Sequence, residues 1–234
     1  PFGSVVRILE KDTTLKSEIE SIIELYDVRK SFSKEVVNEV NQISDSLTPL
    51  SIIPRKDLRS LPTFTIDPED AKDFDDALSI DFLKNGNLCV GVHIADVSHY
   101  VLPESSIDKE AFLRAFSIYF PGKVIPMLPE KLSNQICSLR PKEDKLAFSV
   151  LMEFKKDLTT IQNISIEKSV IESDQRFTYK EVESILKKKK GDFCKELLVL
   201  NKIAKNMRKI RMKNGSINFE RSSVFFELSP SGDP

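Results

Sequence analysis

Six carboxylates stand within residues 67–76: Asp67, Glu69, Asp70, Asp73, Asp75 and Asp76. A folded protein gains nothing from crowding like charges unless a cation or a partner absorbs the repulsion. The flanks confine the run to a loop. Phe64-Thr65-Ile66 reads as the end of a buried strand, and Ala77-Leu78-Ser79-Ile80 as the start of another. Pro68 between them lacks an N–H and favours a loop over a continued strand. A carboxylate-lined loop on two strands is a rigid place for a hard divalent metal. Mg²⁺ suits it, accepting a few carboxylates and completing its octahedron with water and substrate phosphate oxygens. The plainer readings are a solvated acidic turn or a calcium loop. An EF-hand would want a glycine after the third acidic position, a closing glutamate and flanking helices, and none is present.

The chain has 234 residues, 40% hydrophobic and 30% charged, enough for a real core and one or two domains. Its net charge of −1 projects no global field toward nucleic acid. Locally the balance differs. From Lys187 to Lys213 eleven basic residues face only Asp192 and Glu196. A basic face beside a metal-ready acidic loop is what a phosphodiester-handling protein needs, although such charge runs are usually solvated helix faces, and on charge alone that reading is favoured. Cys89, Cys137 and Cys194 form no zinc spacing or disulfide framework, so a reducing cytoplasm is expected. There is no signal-peptide pattern and no apolar run long enough to span a bilayer, so no membrane partner is expected. The chain opens directly into a Val5–Leu9 strand pattern and stops just after Val224-Phe225-Phe226, which reads as a fragment of something longer.

Apolar periodicity predicts a helix over 13–27 and a second from Ser31 or Ser33, with Val36, Val37, Val40 and Ile43 inward and a serine as N-cap. Pro49, Pro54 and Pro62 make 47–62 an extended connector. Leu88–Ala95 is a central strand pattern, preceded by the hairpin signal Asn85-Gly86. A short helix over 106–115, a turn at Pro121-Gly122 and strands at 146–154 and 161–171 follow. Helices are predicted over 178–186 and 192–212. The latter keeps Phe193, Leu197, Leu200, Ile203, Ala204, Met207 and Ile210 on one stripe. His93 and His99 are the only histidines, and with no motif around either, each is read as hydrogen-bonded and structural. There is no Gly-x-Ser-x-Gly elbow and no phosphate loop, which argues against serine-hydrolase and NTPase chemistry. Tyr119, Tyr179 and Phe219 stand where a base could stack on them, an interaction worth roughly 1–3 kcal/mol, though each such residue is more often a core or edge packing residue and the residues alone do not single them out.

The acidic run resembles the signature of the ribonuclease II/ribonuclease R (RNB) family of exoribonucleases. Other motifs in the family's order carry the likeness too: Arg55-Lys56-Asp57-Leu58-Arg59, His93-Ile94-Ala95-Asp96-Val97-Ser98, Ile125-Pro126-Met127-Leu128-Pro129, and Leu132 through Arg140. The resemblance covers 55–234 and leans toward the ribonuclease R branch. It implies an α+β catalytic-domain fragment with a central mixed sheet flanked by helices. Residues 1–9 would end a cold-shock-like domain of oligonucleotide-binding fold, 10–54 would be a helical linker, and 55–234 the N-terminal part of the catalytic domain. It implies a processive, Mg²⁺-dependent hydrolase that shortens single-stranded RNA from its 3′ end to nucleoside 5′-monophosphates, and a monomer. One or two Mg²⁺ ions are implied, with Mn²⁺ as a substitute.

Asp67, Asp73, Asp75 and Asp76 match the family's four active-site aspartates. By the same likeness, Asp67, Asp73 and Asp76 would hold metal and Asp75 would be the carboxylate whose loss is most damaging. Tyr119 and Phe219 match the base-clamping aromatics, and Tyr179 another aromatic of the RNA path. The family's catalytic domain continues further and supplies an arginine near the scissile phosphate, so the fragment alone is expected to bind metal yet degrade RNA weakly or not at all. The competing readings are a non-catalytic RNA-binding relative and a metal-stabilised, calcium-binding structural module.

Overall fold

The computed structural model describes residues 14–45, 47–48, 52 and 54–219. The Val5–Leu9 strand, the assignment of 1–9 to a preceding domain and the 224–226 apolar run lie outside those residues. In chain order the elements are α1 (Leu15–Leu25), α2 (Lys34–Gln42), β1 (Lys56–Asp57), β2 (Thr63–Asp67), β3 (Asp76–Phe82), β4 (Leu88–Ala95), α3 (Ser106–Arg114), β5 (Ile118–Phe120) and β6 (Lys123–Ile125). Then come β7 (Asp144–Phe154), β8 (Ile161–Glu172), β9 (Gln175–Thr178), α4 (Tyr179–Lys188) and α5 (Cys194–Lys213). They form two compact units, residues 14–42 with 102–129, and 43–101 with 130–219.

The larger unit is built on a seven-stranded sheet in the order β1-β8-β7-β4-β3-β2-β9. β1 lies parallel to β8 and β9 parallel to β2, while the four pairs between are antiparallel. The architecture is therefore α+β with a mixed sheet, as expected. Asn85-Gly86 turns β3 into β4. Gly86 takes φ +83°, a left-handed conformation that glycine adopts without strain, and its N–H donates to Leu83 O at 2.9 Å. The connector expected to be extended over 47–62 gains a short strand, because Lys56 and Asp57 pair with Ser169 and Val170.

Helices α4 and α5 cover one face of this sheet. Leu197 packs with Phe64 and Phe177, and Ile203 with Ile80, Leu88, Val90, Phe154 and Leu158. The stripe predicted for α5 is buried only in its first half, since Met207 and Ile210 stay 40% and 41% exposed. On the other face His93 is fully buried, its Nδ1 2.6 Å from Ser149 Oγ and its Nε2 2.8 Å from Ser79 Oγ. Burial pulls its pKa down to about 4, so the ring is neutral. Gly91 makes room for it, because a Cβ there would collide with Ser79 Oγ and the His93 ring. His99 departs from its expectation. It is exposed, its ring edge-on to Tyr100 at 4.9 Å and without a hydrogen bond among the described residues, while its backbone N–H donates to Asp96 O at 3.2 Å.

In the smaller unit Thr14 caps α1 through a capping box with Ser17, and Ser33 Oγ accepts from Val36 N–H at the start of α2. Ile19, Ile23 and Ile125 form its core with Leu15, Val28, Ile118 and Phe120. The Pro121-Gly122 turn closes the β5–β6 hairpin, pairing Phe120 with Lys123.

Candidate active site

The acidic loop joins β2 to β3, next to the β9 edge of the sheet. Asp67 ends β2 and is buried at 9% exposure; Asp76 opens β3 and is exposed. Asp73 is half-buried and Asp75 reaches solvent. The sheet fixes both ends of the loop. Asp67 pairs with Thr178 of β9, Asp76 pairs with Ile94 of β4, and Ala95 N–H donates to Asp75 O at 3.0 Å.

The middle of the loop is held by a segment far along the chain. Buried Ser138 accepts from Phe74 N–H at 3.0 Å and donates to Lys72 O at 3.2 Å, while Leu139 N–H donates to Phe74 O at 2.9 Å. Phe74 is thereby turned inward while Asp73 and Asp75 on either side are left nearer to solvent. From β9, the Arg176 guanidinium donates to the carbonyls of Pro68 and Glu69, the latter at 3.0 Å, and lies 5.6 Å from the Phe74 ring centroid. Behind Ala95, the buried Arg55–Asp96 pair at 2.7 Å and the Ser98 hydroxyl, which donates to Asp96 at 2.7 Å, fix the end of β4.

The electrostatics are those of carboxylates under strain. Burial raises the Asp67 pKa above its ordinary value. The Thr65 hydroxyl opposes this without reaching hydrogen-bond geometry, Asp76 and Asp73 add to it, and Arg176 opposes it. Asp75 is raised first by partial desolvation, then by Asp73, Asp76 and Asp67. Asp67 Oδ2 is buried with no hydrogen-bond partner among the described residues. All-oxygen donors, this orphaned atom and mutual repulsion together fit a hard divalent cation. Among the described residues, however, no three His, Cys, Asp or Glu side chains already stand gathered as a metal-holding group.

Of the three aromatics, the structure brings Tyr179 beside the loop. It is exposed and follows Thr178, the partner of Asp67 across the sheet. Thr178 caps α4 by accepting from Glu181 N–H at 3.2 Å, with its own N–H donating to Glu181 Oε2 at 2.7 Å. Lys180 Nζ lies 3.2 Å from Glu69. Tyr119 is exposed on β5 in the smaller unit, and Phe219 is exposed beyond α5 at the end of the described chain. Sequence reasoning missed the supporting side chains. Arg55, Asp96 and Ser138 fall inside motifs that had been recognised but given no role, and Arg176 carried no signal beyond its place before Phe177-Thr178-Tyr179.

Comparison with known proteins bears on the same residues. The RNB domain family matches residues 55–233. Ribonuclease R of Chlamydia pneumoniae is 43% identical over 235 residues, covering 100% of this chain and 35% of that protein. The solved RNase R of Mycoplasma genitalium with ribose-methylated single-stranded RNA superposes at a TM-score of 0.86 and 30% identity, covering 98% of this chain and 36% of that one. The same enzyme with double-stranded RNA gives 0.87 at 29% identity, covering 98% and 41%. The chain thus spans about a third of the length of the curated relatives it matches.

Proposed function

The chain belongs to the RNB domain family, and on that premise we propose that the protein is a divalent-metal-dependent exoribonuclease that shortens RNA processively from its 3′ end to nucleoside 5′-monophosphates. The observation that supports this most is the clasped acidic loop, in which a buried, unpartnered Asp67 oxygen is coupled to Asp73, Asp75 and Asp76. A protein that only binds RNA has no use for that repulsion. Nor does its family likeness favour a calcium-stabilised structural module.

Asp67, Asp73 and Asp76 would hold Mg²⁺, one ion or two, or Mn²⁺ in its place. A bound ion of this kind activates water and neutralises charge on the phosphoryl oxygens. The chain's own residues supply position. The β2 and β3 ends, Ser138, Leu139 and Arg176 hold the backbone of the loop that carries the carboxylates, so that gathering them round a cation falls to their side chains. Asp75 lies next to Asp76 in the same loop with a pKa raised first by partial desolvation and then by the other three aspartates, suited to take or orient a proton near the attacking water. Tyr179 would stack a base next to the loop, with Tyr119 and Phe219 as the clamp for the terminal bases. Stacking is indifferent to base identity, so degradation should be largely sequence-independent.

The same reading takes 55–234 as the first part of the catalytic domain, 10–54 as its helical linker and 1–9 as the end of an oligonucleotide-binding-fold domain. It takes the protein as a cytoplasmic monomer whose partner is single-stranded RNA. Cys89, Cys137 and Cys194 are free, and no described helix is long and apolar enough to cross a membrane. The test is degradation of 5′-labelled single-stranded RNA with Mg²⁺ by the full-length protein and its Asp75→Asn variant. A ladder collapsing to a short 5′ remnant, at least a hundredfold slower in the variant with RNA affinity retained, is the expected result. Binding without shortening in both would overturn it.

A further inference from the structure

Helix α5 carries a feature that the acidic loop does not use. At 3.6 residues per turn, Lys195, Lys202, Lys205, Lys209 and Lys213 fall on one stripe, turned away from Leu197 and Ile203, which pack on the sheet. All five are exposed. At about 1.5 Å per residue the stripe is roughly 27 Å long.

A helix face that is merely solvated interleaves opposite charges three and four residues apart, and like charges at those spacings destabilise it. Here Lys202 and Lys205 stand three apart, and Lys205, Lys209 and Lys213 four apart, with no acidic residue between Glu196 and Glu220. Nearby, Lys187 is ion-paired to Glu183 at 2.6 Å, and Lys195 sits over the Phe82 ring at 3.6 Å. No carboxylate partner is found for the five stripe lysines among the described residues. The segment from Lys187 to Lys213 carries +9, while the rest of the chain carries −10. An ordered row of like charges on a regular helix calls for an extended polyanion.

We propose that this stripe is a second RNA-docking surface, along which a phosphodiester backbone lies, apart from the strand end taken by the aspartates. The proposal rests on the reading of RNA as the partner. Lysines at this spacing meet phosphates as point charges, without reading bases, and release condensed counterions as they do so. A lipid surface is the poorer occupant. It would need a long apolar face on α5, and the first half of that face, Leu197 and Ile203, is already committed to the sheet, leaving only the half-exposed Met207 and Ile210.

The test uses the full-length protein carrying Asp75→Asn to prevent hydrolysis, with and without Lys202→Gln, Lys205→Gln, Lys209→Gln and Lys213→Gln together. Binding of a labelled 30-nucleotide RNA and of a five-nucleotide RNA is titrated against salt. The expected result is a salt slope for the long RNA shallower by about 0.7 per lysine removed. Long-RNA affinity should fall at least tenfold at low salt, with five-nucleotide binding and the melting temperature held. Equal slope and affinity for the long RNA would make the stripe a solvated helix face and overturn the proposal. Equal weakening of both RNAs would overturn it as a separate surface. Capture by phosphatidylserine vesicles that depends on these lysines, with RNA binding unchanged, would assign the stripe to lipid instead. If the protein with its lysines intact binds neither RNA at low salt, the RNA reading itself falls, and the stripe proposal with it.

Discussion

At Asp67 a carboxylate oxygen is buried with no hydrogen-bond partner among the described residues, and that burial raises its pKa, with Asp76 and Asp73 pushing it up further. Such a group destabilises the fold unless a proton or a cation meets it. Asp75 feels the same repulsion from closer to solvent, where water screens part of it. Removing one of the four charges should therefore stabilise the chain when no cation is present. Asp75→Asn is expected to raise the melting temperature in chelator by about 2 °C, the size of roughly half a kcal/mol for a chain of this length. The same variant should show a smaller melting-temperature gain on adding Mg²⁺ than the unmodified protein. Thermal denaturation with chelator and with Mg²⁺ measures both. A lower melting temperature in chelator would mean that Asp75 stabilises the loop, contrary to the strain argument.

The acidic loop is the element that joins this chemistry to the fold, and its clasp is nonlocal. Ser138→Ala removes the acceptor of Phe74 N–H and the donor to Lys72 O in a buried setting. It should cost about 1–3 kcal/mol, the range for leaving a buried backbone N–H unpaired. It should also weaken cation binding, because Asp73 and Asp75 flank the released Phe74. Denaturant midpoints and calorimetric Mg²⁺ titration would show it, and an unchanged Mg²⁺ affinity would reduce Ser138 to a packing residue. The loop itself was legible as a run of charge between two apolar patterns, since both signals are local. So were the Asn85-Gly86 hairpin and the buried half of α5. The clasp was not legible, because Ser138 and Phe74 are 64 residues apart. Nor was β9. Gln175–Thr178 holds one apolar side chain, Phe177, and becomes a strand only because β2 offers it a parallel partner. β1, two exposed residues long, depends on β8 in the same way.

Across the larger unit the shifted carboxylates Asp96, Asp67 and Asp75 oppose one another in their response to pH. Burial pushes the Asp96 pKa up, but the bonds from Ser98 and Arg55 outweigh it and hold the group below its ordinary 3.8. Its contribution to stability is complete above 3.8 and is lost as pH falls through its lower, folded value. Asp67 and Asp75 are shifted the other way, above 3.8. They bind more protons folded than unfolded in the window between 3.8 and their raised values, so stability falls as pH rises through that window. Without a cation the Asp67 and Asp75 shifts favour mildly acidic pH, while His93, buried and neutral with its pKa lowered to about 4, opposes them by adding stability as pH rises toward its ordinary 6.5. A divalent ion removes the penalty on the alkaline side of the window, because it neutralises the same carboxylates. Saturating Mg²⁺ should therefore add more stability at neutral pH than near pH 4, and Asp67→Asn combined with Asp75→Asn should make stability rise more steeply toward neutral pH without needing the ion. Urea midpoints measured at intervals from pH 3 to pH 8, with chelator and with Mg²⁺, decide it. A pH profile unchanged in the double variant would show that other groups set the pH dependence, and that the acidic loop is relaxed as it stands.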